Sequence, residues 1–122
     1  MSSIPWPLLR GKTAAITGGT TGVGRGICLE YIRQGCNVAV NHLGLERDEV
    51  HRKSLYDEVA KIREQCKGSD HPGLVGDLID VVGDISKPQT SKTLVETAVD
   101  KFGRLDILVA NAGIFQPAEF LE

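Results

Sequence analysis

Four glycines fall within the seven residues Gly18 to Gly24, and no other stretch of the chain limits its fold as tightly. On one side lies the short apolar run Ala14, Ala15, Ile16, which predicts a buried strand from Lys12 to Thr17. On the other side Val23, Ile27 and Tyr31 recur every four residues, and Cys28 and Ile32 widen the stripe, so a helix is predicted to about Gln34. Gly35 stands where a helix C-terminal glycine belongs. A strand, a glycine turn and a helix in that order read as the opening of a βαβ unit.

The rest of the chain repeats the alternation. Val38, Ala39 and Val40 predict a second strand, and a long charged helix is expected from about Glu46 to Lys67, with Leu55, Val59, Ile62 and Cys66 on one face. Residues 68 to 73 read as an exposed loop. A third strand is expected over Leu78 to Val82, with Ser86 as N-cap and Pro88 in the first turn of a third helix. That helix carries Leu94, Val95, Ala98, Val99 and Phe102 on one face, and Gly103 ends it. Leu105 to Ala110 is the fourth strand, and its run Ile107, Leu108, Val109 predicts burial on both faces. The fold class is therefore α/β: a single domain over residues 1–122 with a Rossmann-type doubly wound parallel sheet. In such a sheet the first and fourth strands are neighbours, and the crevice between their C-terminal ends is the topological switch point.

Composition narrows the classes. The chain of 122 residues carries a formal charge of -2, which argues against a dedicated nucleic-acid binder. No run approaches the length of a membrane span, and the N-terminus has no signal-peptide pattern, so a cytoplasmic protein is expected. Cys28, Cys36 and Cys66 are odd in number and lack metal-ligand spacing. They read as reduced thiols, with a redox or nucleophilic cysteine as the alternative. No metal site is expected.

The glycine turn has a chemical use. A diphosphate requires a tight turn, close approach of bare backbone, and free N–H groups at a helix N-terminus. Gly18, Gly22 and Gly24 remove the Cβ atoms that would block such a group, and Thr20 and Thr21 add hydroxyl donors. A plain glycine-rich loop is the alternative, and the strand before and helix after it favour the phosphate reading. No Lys-Ser/Thr pair follows the glycines, so a P-loop is disfavoured.

The spacing Thr17-Gly18-x-x-x-Gly22-Val23-Gly24 resembles the short-chain dehydrogenase/reductase family, as do Asp84 after the third strand and Asn111-Ala112-Gly113 after the fourth. Phe102 to Ile107 is similar to the family's lead into the fourth strand. The resemblance implies that Gly18, Thr20, Thr21, Gly22, Val23 and Gly24 cradle a pyrophosphate and its ribose. It implies that Asp84 and Ile85 flank an adenine, that Asn111 stabilises the fourth strand's end, and that Ala112 and Gly113 line the nicotinamide ribose. Helix capping is the alternative for Asp84, and a left-handed turn residue for Asn111.

At the tip of the second strand an acid would bind a ribose 2′-hydroxyl and repel a 2′-phosphate. Asn41, His42 and Leu43 stand there instead, with no acid until Glu46, so NADP is the expected cofactor and NAD the alternative. Asn41 and His42 are the expected donors; Arg25 either reaches a phosphate or is a solvated helix residue. The family's chemistry uses a serine, a tyrosine and a lysine four residues after the tyrosine. Tyr31 is followed at that spacing by Gly35 and Tyr56 by Ala60, so no catalytic residue is assigned. The resemblance implies that the chain, its sheet truncated after the fourth strand, is the cofactor-binding half of an oxidoreductase acting on a small alcohol or carbonyl, inactive and poorly stable by itself, and oligomeric only at full length. The alternative is an inactive dinucleotide-binding or interaction module. Within the family, Asn41-His42-Leu43, Gly83 to Ser86 and the segment from Asn111 are similar to fungal sugar 1-dehydrogenases such as those for L-rhamnose, with bacterial-type oxoacyl reductases as the alternative.

Overall fold

A computed structural model of the chain describes residues 8–66 and 75–111. The elements run β1 (Thr13–Thr17), α1 (Gly22–Arg33), β2 (Asn37–His42), α2 (Glu46–Cys66), β3 (Leu78–Val82), α3 (Pro88–Phe102) and β4 (Ile107–Val109). All strand pairs are parallel, and the sheet order is β3-β2-β1-β4. The chain steps outward from β1 through β2 to β3, then crosses back to place β4 on the far side of β1. That reversal creates the expected switch point.

Alternation along each strand builds two cores. Ala14, Ile16, Val38, Val40 and Leu78 face α1 and α2, where Cys28, Ile32, Leu55 and Val59 meet them. Ala15, Ala39 and Val81 face the other way, against Leu94 and Ala98 of α3. Both faces of β1 and β2 are covered, so each reads as a continuous apolar run. Gly35 (φ +88°) and Gly103 (φ +85°) follow α1 and α3 in the left-handed region where glycine carries no Cβ penalty.

Several expectations shift. In α1 Cys28 and Ile32 of the predicted stripe are buried and Ile27 and Tyr31 pack against the same core, but Val23 is 74% exposed and Gly24 is buried in its place. β2 runs further than Val38 to Val40 because Asn41 and His42 keep pairing with β3. Ser86 is not the N-cap of α3: its N–H and hydroxyl both donate to Asp84 Oδ1 (2.9 and 2.7 Å), and Lys87 takes the cap position. β4 is shorter than expected and Leu108 is 61% exposed, not buried. The reason is placement: α3 packs over β1, β2 and β3, and Leu108 lies beyond its edge. Val95 and Val99 likewise sit on the exposed flank of α3. The loop expected over residues 68–73 lies outside the described residues.

Candidate functional site

The C-terminal ends of β1 and β4 are tied together by side chains. The Asn111 backbone N–H donates to Thr17 Oγ1 (2.9 Å), and its side-chain amide donates to the carbonyls of Thr17 (3.2 Å) and Gly18 (3.1 Å). Gly24, on the first turn of α1, lies directly beneath that amide. Among the described residues no non-glycine residue has positive φ, so Asn111 is a cross-strand brace and not a left-handed turn residue.

The glycine turn is shaped for a close approach. Gly18 (φ +63°) and Gly22 (φ +60°) adopt conformations that side chains rarely do. Gly19, which the sequence reading passed over, packs against β2: a Cβ there would sit 2.6 Å from Val40 Cγ1. Thr21 caps α1 without a side-chain hydrogen bond, and the first turn of α1 holds no acid. The leading N–H groups of α1 therefore have no side-chain acceptor at the cap and face a site of positive helix-dipole potential.

Above this turn opens a cleft of about 430 Å³. Of the residues expected from sequence, Gly18, Thr20, Thr21, Gly22, Val23, Asn41, His42, Asp84, Ile85 and Asn111 line it. Gly24 does not; it is buried under Asn111. Ala112 and Gly113 lie outside the described residues. Leu43 and Asp48 also line the cleft. Asp48 was legible only as part of a charged helix. Its carboxylate accepts the Leu45 N–H (2.9 Å), which fixes it in the first turn of α2, at the β2 end of the cleft.

The polar atoms at the β2 tip are already engaged. Asn41 Nδ2 donates to the carbonyls of Gly83 (2.9 Å) and Val81 (3.3 Å). The Gly44 N–H donates to His42 Nδ1 (3.1 Å), so the proton of the ring lies on Nε2, 2.8 Å from Asp80 Oδ2. Both side chains line the cleft, and their donors are bonded within the protein. Arg25 is not among the residues that line the cleft, and its side chain is only 19% exposed. Its guanidinium donates to the Thr20 carbonyl (3.3 Å), the His51 carbonyl (3.3 Å) and Ser54 Oγ (2.8 Å), clamping α2 onto the glycine turn.

Asp80, in mid-β3, collects three donors: His42, Arg52 Nε (3.0 Å, also on Oδ2) and the Tyr56 hydroxyl (2.7 Å, on Oδ1). Burial alone would raise this carboxyl; the hydrogen bonds from His42, Tyr56 and Arg52 outweigh it and hold the group below the usual carboxylate range. Burial and the bond to Asp80 push the Tyr56 phenol well above its ordinary value. Tyr31 packs against the α1-side core. Neither tyrosine lines the cleft. Asp84 is held below the carboxylate range by the Ser86 hydroxyl and amide, so it presents a charged group at the cleft wall. Among the described residues no cluster of metal-ligating side chains occurs, and no helix is long and apolar enough to cross a membrane.

Comparison with known proteins bears on this cleft. A family model for short chain dehydrogenases matches residues 12–122. The chain is 42% identical over 115 residues to an L-rhamnose-1-dehydrogenase of Scheffersomyces stipitis, covering 94% of this chain and 40% of that protein. It is 32% identical over 115 residues to an L-rhamnose 1-dehydrogenase (NAD(P)(+)) of a Sphingomonas species, covering 94% of this chain and 39% of that one. Among solved structures, a Serratia marcescens short-chain dehydrogenase/reductase variant superposes with a TM-score of 0.71 at 26% identity, over 93% of this chain and 40% of that one. A short-chain type dehydrogenase/reductase of Mycobacterium marinum gives 0.68 at 28% identity, over 93% and 40%. The chain thus spans about 40% of the length of the relatives it matches.

Proposed function

Because the chain belongs to the short-chain dehydrogenase family, we propose that its cleft holds the dinucleotide of an oxidoreductase moving hydride between NADP(H) and a sugar alcohol or carbonyl. The observation that carries this reading is the convergence, at one switch point, of three features: a cap that spends no side chain on the N-terminus of α1, the left-handed Gly18 and Gly22, and the Asn111 brace. A pyrophosphate fits that arrangement, since it supplies the acceptors those N–H groups lack. Asp84 and Ile85 flank the far end of the cleft, where an adenine belongs in this reading. When bound, the nicotinamide supplies the hydride.

The preference for NADP over NAD is small. It is supported by the absence of an acid at Asn41, His42 and Leu43, and limited by the spent donors of the first two and by Asp48 at the cleft's edge. The Sphingomonas relative is named for both cofactors. The sugar substrate is supported by the relatives' names, which specify L-rhamnose. A cytoplasmic setting is supported by Cys28 and Cys36, both buried and unlinked. By itself the chain binds without turning over, because neither tyrosine reaches the cleft.

Fluorescence titration of the protein with NADPH and NADH tests the reading. Both should bind, NADPH about two- to fourfold tighter, and the 122-residue chain should form no NADPH from NADP+ and L-rhamnose. Failure to bind either dinucleotide overturns the proposal.

A further inference from the structure

Nothing in the proposed reaction uses the Asp80 cluster, although it touches the cleft through His42. Asp80 pairs with Val40 in the β2–β3 ladder, so its side chain emerges on the α2 side of the sheet among apolar neighbours. It is the one charged side chain that β3 sends to that face, and only 14% of it is exposed. A lone carboxylate there would be costly to bury, and it persists because donors from three elements converge on it. His42 comes from the β2 tip, Arg52 and Tyr56 from α2. Arg52 also lies over the Tyr56 ring, 5.2 Å from its centroid.

Two of the donors share a single oxygen. His42 Nε2 and Arg52 Nε both point at Asp80 Oδ2, at 2.8 and 3.0 Å. We propose that Asp80 is a positioning residue for cofactor choice: it withholds the His42 imidazole, which lines the cleft, from the adenosine 2′ position of a dinucleotide there, and holds on the same carboxylate oxygen the Arg52 guanidinium, which lies outside the cleft lining. The proposal rests on the dinucleotide reading given above.

The physical basis is charge bookkeeping at the β2 tip. An NADPH carries a phosphate at the 2′ position where NADH carries a hydroxyl, so a change in local charge acts on one cofactor and barely on the other. Asp80 shares the Arg52 cation with Glu49, which meets the guanidinium at 3.2 Å, and occupies the one nitrogen of His42 that carries a proton. Gly44, at φ +77°, donates to the other nitrogen and fixes the ring from the turn side. Asp80 thereby restrains the NADP preference that an acid-free strand tip permits.

The test is the ratio of NADPH to NADH affinity, measured by fluorescence titration of the full chain at low and high salt. Asp80→Asn removes the negative charge while keeping the shape. It should move the ratio toward NADPH by about fourfold at low ionic strength, and the gain should fade at high salt, as expected when one unit of negative charge is removed near a site that takes a phosphate. Arg52→Gln removes the cation that Asp80 and Glu49 share and should move the ratio the opposite way, by about threefold. Arg52 is partly exposed, so this second variant decides the question if Asp80→Asn does not fold. Opposite, salt-sensitive shifts support the proposal. Equal loss of both affinities, or no change in the ratio, overturns it and leaves the dinucleotide reading standing. Failure of the unmodified chain to bind either cofactor removes both.

Discussion

The Asn111 side-chain amide sits where a Cβ on Gly24 would have to be. The same imagined Cβ would lie 2.6 Å from the Gly18 carbonyl oxygen, so the glycine is required by contact and not by its backbone angles. One glycine at the start of α1 thus lets the end of β4 lock onto the end of β1, and the cleft floor forms from that closure.

Gly24→Ala should therefore be costly. The new methyl must displace Asn111 or the turn, and overpacking of this kind destabilises by about 1–3 kcal/mol. Urea unfolding should show a lower midpoint, and NADPH titration at least a tenfold loss of affinity, because the amide's bonds to Thr17 and Gly18 are broken together.

Gly22→Ala should behave differently. No atom lies within 4 Å of its imagined Cβ, and only the left-handed φ of +60° opposes a side chain. A stability loss of about 1 kcal/mol is expected from that conformation alone. The methyl would, however, project at the N-terminus of α1 in the cleft, so NADPH affinity should fall by more than the stability change accounts for. Paired urea and titration measurements on the two glycine variants separate contact from strain.

Acid should weaken the fold through Asp80. Its folded carboxyl lies below the ordinary value, so its contribution is fully present above the ordinary carboxylate range and is lost as pH falls through the lowered folded value. Urea midpoints measured between pH 6 and pH 3 should decline at the acid end, and Asp80→Asn should flatten that decline. Asp106, lowered by its Arg104 bond and by the Thr13 N–H, leaves a residual slope in the variant.

The two core thiols should be inert. Burial pushes Cys28 up to about 12 and Cys36 up to about 11, so neither supplies thiolate near neutral pH. Mass-spectrometric labelling with iodoacetamide at pH 8 should leave both unmodified in the folded chain and modify both in urea. Rapid labelling of Cys28 in the folded protein would contradict its placement in the α1–sheet core.

Much of the frame was legible in the residues themselves. The alternation of apolar runs with helical stripes located the four strands and three helices of the described residues, and the glycine cluster marked the switch point, because period and turn chemistry are local properties. Relations between distant elements were not legible. Val23 reads as part of the α1 stripe because it is apolar, yet it faces the cleft, and nothing local distinguishes a cleft-facing valine from a core one. Ser86 has an N-cap's composition, yet Asp84 claims its hydroxyl first.

The site divides along the same line. That a glycine-lined helix start and an asparagine at the end of the fourth strand would meet followed from the residue order alone, since parallel crossovers place both at the same edge of the sheet. What the order could not settle is which polar groups remain to bind anything. Asn41, His42 and Arg25 carry suitable donors in any list of side chains, and each is spent on a partner 26 to 42 residues away. A hydrogen bond satisfies a donor only through proximity, and proximity between strands and helices exists only once the chain has packed.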